Sequence, residues 1–264
     1  MDLNLAGKAV IVTGGGSNIG RTISLMFAAE GAKVVIADID EGQGEKVAAE
    51  ARAAGAKNVM VQKTDITRID EVTALVERVQ REYGCVDVLV NNVGWTVEGL
   101  FIEQKREQWE REIQINLWGM INCTRSVLDG MIARKSGAVV SIGSDAGRMG
   151  EYREGVYAAC KAGVMALTKT LAREYGKYNL RFNVVNPGTT MPEEDTEISD
   201  LSMWAGGQRR WRTDEMKARI AKLYPLRRIA TPREVASVAL FLASDAASFI
   251  TGQTISASGG YTMI

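Results

Sequence analysis

Histidine is absent from all 264 residues. That omission excludes Ser-His-Asp and Cys-His nucleophilic mechanisms, histidine-ligated zinc hydrolysis and the zinc deaminase type of site. Proton transfer is left to Tyr, Lys, Asp, Glu, Cys or water. An excess of charge of one sign is also missing: 32 Lys and Arg are interleaved with 32 Asp and Glu, for a formal net charge of zero. Such a chain has no electrostatic footprint for nucleic acid, which is not an expected partner. The three cysteines, Cys85, Cys123 and Cys160, are odd in number, widely spaced and never in a CxxC pair. They exclude a disulfide framework and a structural zinc site and read as buried thiols; no metal is expected. Long hydrophobic runs are lacking too. MDLNLAGK leads into a short apolar run without a basic lead, too short for a signal peptide or a membrane span. A cytoplasmic protein without a membrane partner is the expectation. No Pro/Gly/Ser-rich linker divides the chain, so 1–264 is expected to form one domain.

What is present is an alternation. β-branched runs at Lys8–Thr13, Lys33–Ile39, Val59–Gln62, Val86–Val90, Ala138–Ile142, Arg181–Val185 and Thr254–Ser256 read as strands. Between them, helical apolar spacing predicts helices over Arg21–Glu30, Glu41 to about Ala54, Asp70–Tyr83, a long one around Gln108–Ala133, Val156–Tyr175 and Pro232–Leu242. Continuously apolar strands alternating with helices imply an α/β fold, a doubly wound parallel sheet with helices on both faces. Only 189–215 breaks the rhythm, and insertions at the carboxyl ends of parallel strands are where such folds keep substrate-binding parts. A surface excursion or an oligomer contact accounts for the segment equally well.

VIVTGGGSNIG, Val10 to Gly20, places Gly14, Gly15, Gly16 and Gly20 between the first strand and the first helix. There the backbone can approach a phosphate at a helix N-terminus, although a tight turn needs glycine as well. Asp38, at the end of the second strand and about 20 residues on, strengthens the nucleotide reading, because a carboxylate there can accept both hydroxyls of an adenine ribose. It would repel the additional phosphate of NADP, so NAD is the expected cofactor. Asp65 either accepts from the adenine amino group or caps the next helix. In VYAACKAG, Tyr157 and Lys161 are four apart and share a helix face, a plausible histidine-free acid/base pair. Ser144 follows a strand, and Asn116 sits inside a helix where asparagine is locally unfavourable.

Together TGGGSNIG, Asp38, Asp65, NNVG at Asn91–Gly94, Asn116, SIGS ending at Ser144, Tyr157 with Lys161, and Pro187-Gly188 resemble the short-chain dehydrogenase/reductase family over almost the entire chain. The resemblance implies a Rossmann-like fold and NAD-dependent interconversion of a secondary alcohol and a ketone. It makes Tyr157 the proton donor or acceptor and gives Lys161 the nicotinamide ribose and the task of lowering the tyrosine pKa. Ser144 would orient the substrate oxygen, and Asn116 would support a water-linked proton relay. Cofactor contacts carried over by position are Gly14, Ser17, Asn18, Ile19, Gly20, Asp38, Ile39, Asp65, Ile66, Asn92, Gly94, Tyr157, Lys161, Pro187, Gly188 and Thr190. Three positions depart from the family pattern: Asn18 stands at a usual glycine, Val93 replaces a common alanine, and the threonine usual further beyond Pro187-Gly188 is absent. Asn18 is expected to shape the pyrophosphate end through its backbone or a turn bond.

The resemblance further implies a homotetramer or homodimer, with the Gln108–Ala133 and Tyr157 helices as contact surfaces. Trp95, Met191 and Trp204 suit a ring-containing or apolar alcohol or ketone. NNVGW resembles members that oxidise cyclic hydroxyacyl-CoA thioesters, in which case Arg209, Arg210 and Arg212 would meet the phosphates of an acyl-CoA. A member that binds NAD but has lost turnover, acting as a structural or regulatory subunit, is the alternative from a different class.

Overall fold

Seven strands, each a short apolar run, form one all-parallel sheet in the order β3-β2-β1-β4-β5-β6-β7 in the computed structural model, which describes residues 2–205 and 213–264. They are β1 (Ala9–Thr13), β2 (Lys33–Asp38), β3 (Val59–Lys63), β4 (Val88–Asn91), β5 (Gly137–Ile142), β6 (Leu180–Pro187) and β7 (Thr254–Ala257). The helices are α1 (Asn18–Ala29), α2 (Glu41–Ala53), α3 (Ile69–Tyr83), α4 (Arg106–Ile113), α5 (Gly119–Arg134), α6 (Ala146–Met149), α7 (Gly155–Tyr175), α8 (Asp214–Ala221) and α9 (Pro232–Ala243). The expected doubly wound architecture is what forms.

Each face of the sheet has its own core, as buried parallel strands require. On one face Val10, Val12, Val34 and Ile36 pack with Ile23 and Phe27 of α1 and Val235, Ala239 and Leu242 of α9. On the other, Ile11, Val35 and Leu89 pack with Leu75 and Val79 of α3 and Val127 and Met131 of α5. Strand order reverses between β1 and β4, and there the carboxyl ends diverge into a crevice, the usual ligand position in such sheets.

Four differences from the sequence expectations have local causes. α1 starts at Asn18, three residues early, following Ser17, an extended residue of favourable N-cap type, even though Asn18 itself has a left-handed φ of 45°. The single long helix expected over 108–133 is interrupted by a π-helical turn, Gln114–Trp118, centred on Asn116. α8 was not foreseen; its N-cap Thr213 accepts from the Met216 N–H, and Asp214 and Glu215 occupy its first turn. The segment after β6 carries a one-turn 3-10 helix at Asp195–Glu197 rather than open loop. Among the described residues no helix is long and apolar enough to cross a membrane, and no cluster of side chains fits a metal ion.

Candidate active site

The glycine turn is shaped by contacts that only glycine permits. Gly14 has a φ of +60°, and an added Cβ at Gly20 would overlap the Gly14 carbonyl oxygen and the Asn92 side chain. Asn92 donates its amide to the Thr13 and Gly14 carbonyls, tying the turn to the end of β4. Asn18 takes the left-handed conformation that asparagine tolerates better than most side chains. Its Nδ2 donates to the Thr190 carbonyl at 3.2 Å, while its Oδ1 is buried without a partner. The bond thus reaches across to the segment after β6, beyond the turn itself.

At the end of β2, Asp38 is buried and accepts from the Gly16 N–H at 2.9 Å and the Asp40 N–H at 3.0 Å. Burial pushes its carboxyl above the ordinary range against these two donors. Ile39 beside it is exposed on the cleft, and Ile66 is buried against Gly119. Asp65 does not cap α3, whose N-cap is Arg68 without a side-chain cap bond; one Asp65 oxygen accepts from the Thr67 N–H and hydroxyl in a local turn that leaves the residue on the cleft.

The chemistry-bearing side chains meet above β4 and β5. Lys161 is buried, and its Nζ donates to the Ile142 carbonyl at 2.9 Å and lies 5.5 Å from the Tyr157 ring centroid. Burial lowers its pKa to about 8. Tyr157 is raised well above its ordinary value, first by burial, then by Glu154, with a Ser144 hydrogen bond acting in the opposite direction. The lowering expected from Lys161 is therefore not what governs the phenol: burial and a carboxylate outweigh it. Ser144 Oγ also accepts from the Ala146 N–H. Asn116 clamps one residue from both sides, donating to the Trp95 carbonyl and accepting from the Trp95 N–H, and donates again to the Glu112 carbonyl. Its amide thus fixes the Trp95 loop, and the π turn around it is the kind of helix irregularity that recurs at functional sites.

These groups line one cleft of about 990 Å³. Of the expected cofactor and catalytic positions, Gly14, Ser17, Asn18, Ile19, Asp38, Ile39, Asp65, Ile66, Asn92, Gly94, Ser144, Tyr157, Lys161, Pro187, Gly188 and Thr190 all reach its wall. Gly20 lies beneath the turn, and Asn116 behind Trp95. Thr190 presents little hydroxyl to a ligand, since its Oγ1 donates to the Gly188 carbonyl. Over the nucleotide half, Ser199 donates its N–H to Ser17 and its hydroxyl to Asp40, Gln43 donates to the Thr196 carbonyl, and Arg21 pairs with Glu197. Met191 and Trp204 line the cleft as expected. Gly206, Gly207, Trp211 and the three arginines expected to meet phosphate, Arg209, Arg210 and Arg212, lie outside the described residues.

Two carboxylates escaped the sequence reading. Glu112 is fully buried, accepts from the Thr96 hydroxyl and the Val97 N–H, and holds its other oxygen without a partner. Glu154 lies in the cleft wall beside Tyr157, its pKa pushed up to about 7 by burial and by Glu151, Glu98 and Glu112. Their spacing was the available signal: Glu112 is one helical turn before Asn116, and Glu154 is three residues before Tyr157.

A parallel doubly wound sheet with a glycine-bounded helix N-terminus, an acidic end to β2 and a cleft-lining Tyr157 beside the buried Lys161 defines a dinucleotide-dependent oxidoreductase. The turn fits such a cofactor on the chain's own evidence, because Gly14, Ser17, Asn18 and Ile19, at the N-terminus of α1, line the same cleft as Asp38 and Lys161. Comparison with known proteins agrees. The family model described as Enoyl-(Acyl carrier protein) reductase matches residues 14–262. The 3-oxoacyl-[acyl-carrier-protein] reductase FabG of Thermotoga maritima is 38% identical over 98% of this chain and 99% of its own length. That of Chlamydia muridarum is 38% identical over 98% and 99%. The solved structure titled "Crystal structure of gox2181" superposes with a TM-score of 0.88 at 32% identity, covering 98% of this chain and 97% of that one. The chain belongs to the short-chain dehydrogenase/reductase family. It is an oxidoreductase of that family, whose members use a nicotinamide dinucleotide.

Proposed function

We propose that the protein interconverts a secondary alcohol and a ketone with NAD, on a ring-containing substrate, using Tyr157 as acid/base. The observation carrying the reading is the convergence of Tyr157, Lys161 and Ser144 on one cleft wall, with the glycine turn and Asp38 on the same cleft. When bound, the dinucleotide supplies the hydride acceptor or donor. Tyr157 gives its hydroxyl proton to the carbonyl oxygen in reduction and takes the alcohol proton in oxidation. Because burial and Glu154 hold the phenol protonated near neutral pH, reduction is favoured there and oxidation gains as pH rises. Ser144 holds the substrate oxygen beside that hydroxyl, and Lys161 offers an ammonium close by for the nicotinamide ribose. Gly14, Ser17, Asn18, Ile19 and Gly20 form the pyrophosphate turn, while Asp38, Ile39, Asp65 and Ile66 face the adenosine. Asn92, Gly94, Pro187, Gly188 and Thr190 flank the nicotinamide side.

Asp38 supports NAD over NADP: its buried carboxylate is already oriented by two backbone donors, and a ribose phosphate would sit against it. Trp95, Met191 and Trp204 in the cleft support a ring-bearing substrate. Residues 189–205 of the expected 189–215 lid lie over the nucleotide half, for which the Ser199, Gln43 and Arg21 bonds speak. The same reading includes a cytoplasmic homodimer or homotetramer, whose contacts would cover the exposed Trp118, Phe249, Met263 and Ile264.

A second reading, reduction of a 3-oxoacyl thioester, is favoured by the names of the relatives, which lend nothing to the expected cyclic 3-hydroxyacyl-CoA. A screen at alkaline pH follows NADH formation from ring-bearing secondary alcohols and hydroxyacyl-CoA thioesters, with NADP beside NAD. The expected result is turnover of free cyclic alcohols with NAD. Turnover of thioesters alone would transfer the conclusion to the second reading, and equal use of NADP would remove the role given to Asp38.

A further inference from the structure

Glu154 is the N-cap residue of α7, three residues before Tyr157, and both residues line the same cleft. At this position an acidic residue would ordinarily be explained as a helix cap. Glu154 makes no side-chain cap bond, and among the described residues its carboxyl has no hydrogen bond or ion pair. It lines the cleft, and apart from burial it is the largest influence on the Tyr157 hydroxyl.

Its neighbours do not supply what it lacks. Glu98 and Glu151 line the same wall, and Glu151 is already served by the Tyr261 hydroxyl at 2.8 Å. Glu112 lies behind, fully buried. The nearby cations are engaged elsewhere: Arg153 with Glu103 at 3.7 Å, Arg111 over the Trp95 ring at 4.1 Å, and Lys161 with the Ile142 carbonyl. The wall beside the reacting position therefore offers acceptors without matching donors. Above pH 7, where Glu154 has lost its proton, a ligand group placed there must donate a hydrogen bond, and a second acceptor or anion would be repelled, so the preference is read at alkaline pH.

We propose that Glu154 is a substrate-specificity residue whose carboxylate accepts a hydrogen bond from a hydroxyl or ammonium on the carbon next to the reacting one. The substrate class is then a vicinal diol or 1,2-amino alcohol, in preference to one carrying a carboxylate or thioester carbonyl at that carbon. This inference rests on reading the cleft as an alcohol/ketone site with Tyr157 as acid/base.

The test measures kcat/KM with NAD for cyclohexanol, cyclohexane-1,2-diol, 2-aminocyclohexanol and 2-hydroxycyclohexanecarboxylate. The proteins are the full-length chain and its Glu154→Leu and Glu154→Gln variants, with thermal unfolding run on each to establish folding. A hydrogen bond to a charged group is worth about tenfold or more, so the diol and the amino alcohol should exceed cyclohexanol by at least tenfold. Glu154→Leu should bring both ratios towards one and raise the carboxylate relative to cyclohexanol. Glu154→Gln, which keeps an acceptor but loses the charge, should remove more of the amino alcohol's advantage than of the diol's. Turnover of cyclohexanol with no preference for either donor substrate, or a preference that survives Glu154→Leu, would overturn this inference and leave the alcohol/ketone reading standing. No turnover of any of the four would overturn both.

Discussion

Replacing Asp38 by asparagine removes one negative charge at the end of β2 while keeping the side chain's shape. In the wild-type chain both carboxylate oxygens are used, one by the Gly16 N–H and one by the Asp40 N–H. An amide has a single acceptor oxygen, so one of those N–H groups loses its partner, at a cost of about 1–3 kcal/mol. For a chain of this size that amounts to a fall in Tm of several degrees, roughly 2–4 °C per kcal/mol. The charge itself acts on the choice of cofactor. A carboxylate roughly 6 Å from about two phosphate charges, at an effective dielectric constant of about 40, contributes about 3 kcal/mol of repulsion, near a hundredfold in affinity. Wild type should therefore prefer NAD over NADP by about two orders of magnitude in kcat/KM. In Asp38→Asn the ratio should narrow by about 30-fold or more, mostly through the KM for NADP and less so at high salt. Steady-state rates with both cofactors at two ionic strengths check this. Equal use of NAD and NADP by wild type, or an unchanged ratio in a folded Asp38→Asn, would refute the reasoning.

Gly20→Ala should weaken NADH binding and lower Tm, because the new methyl group meets the Gly14 carbonyl and the Asn92 side chain; overpacking of this kind costs about 1–3 kcal/mol. Fluorescence titration and thermal unfolding measure both, and unchanged affinity would remove the turn from the binding site. Glu154 holds its proton up to about 7 in the fold against an ordinary 4.5, so between these values the folded chain binds a proton that the unfolded chain releases. Stability from this group falls as pH rises through that window, and above it the buried charge costs up to about 3 kcal/mol. Glu154→Gln should thus raise Tm by several degrees at pH 8 and by nothing near pH 4.5; a gap independent of pH would contradict the burial argument.

The strands and most helices were legible because apolar runs bounded by glycine and helical spacing carry that information locally, as in Lys33–Asp38 and Pro232–Ala243. Site positions were legible where chemistry and spacing coincide, as with Tyr157 and Lys161. What was hidden depends on contacts between distant segments. Asn18 looked like a local defect in a glycine turn, but its side chain bonds Thr190, 172 residues away. Glu112 and Glu154 carry no sequence motif, and only the folded chain buries Glu112 against Thr96 and Val97 and brings Glu154 to the cleft wall beside Tyr157. The interruption of the 108–133 helix was signalled only by Asn116, a residue unfavourable inside a helix; the clamp between it and the Trp95 backbone that accompanies the π turn depends on a segment 21 residues away.

Tyr157→Phe tests the central claim most directly, because it deletes the one oxygen proposed to exchange the proton and leaves the ring in place beside Lys161. Positioned acid/base groups contribute about 10²–10⁴-fold. The account predicts that the variant binds NADH within about threefold of wild type and loses at least about a hundredfold in kcat on a cyclic alcohol. A variant that binds NADH and turns over within tenfold of wild type would contradict it.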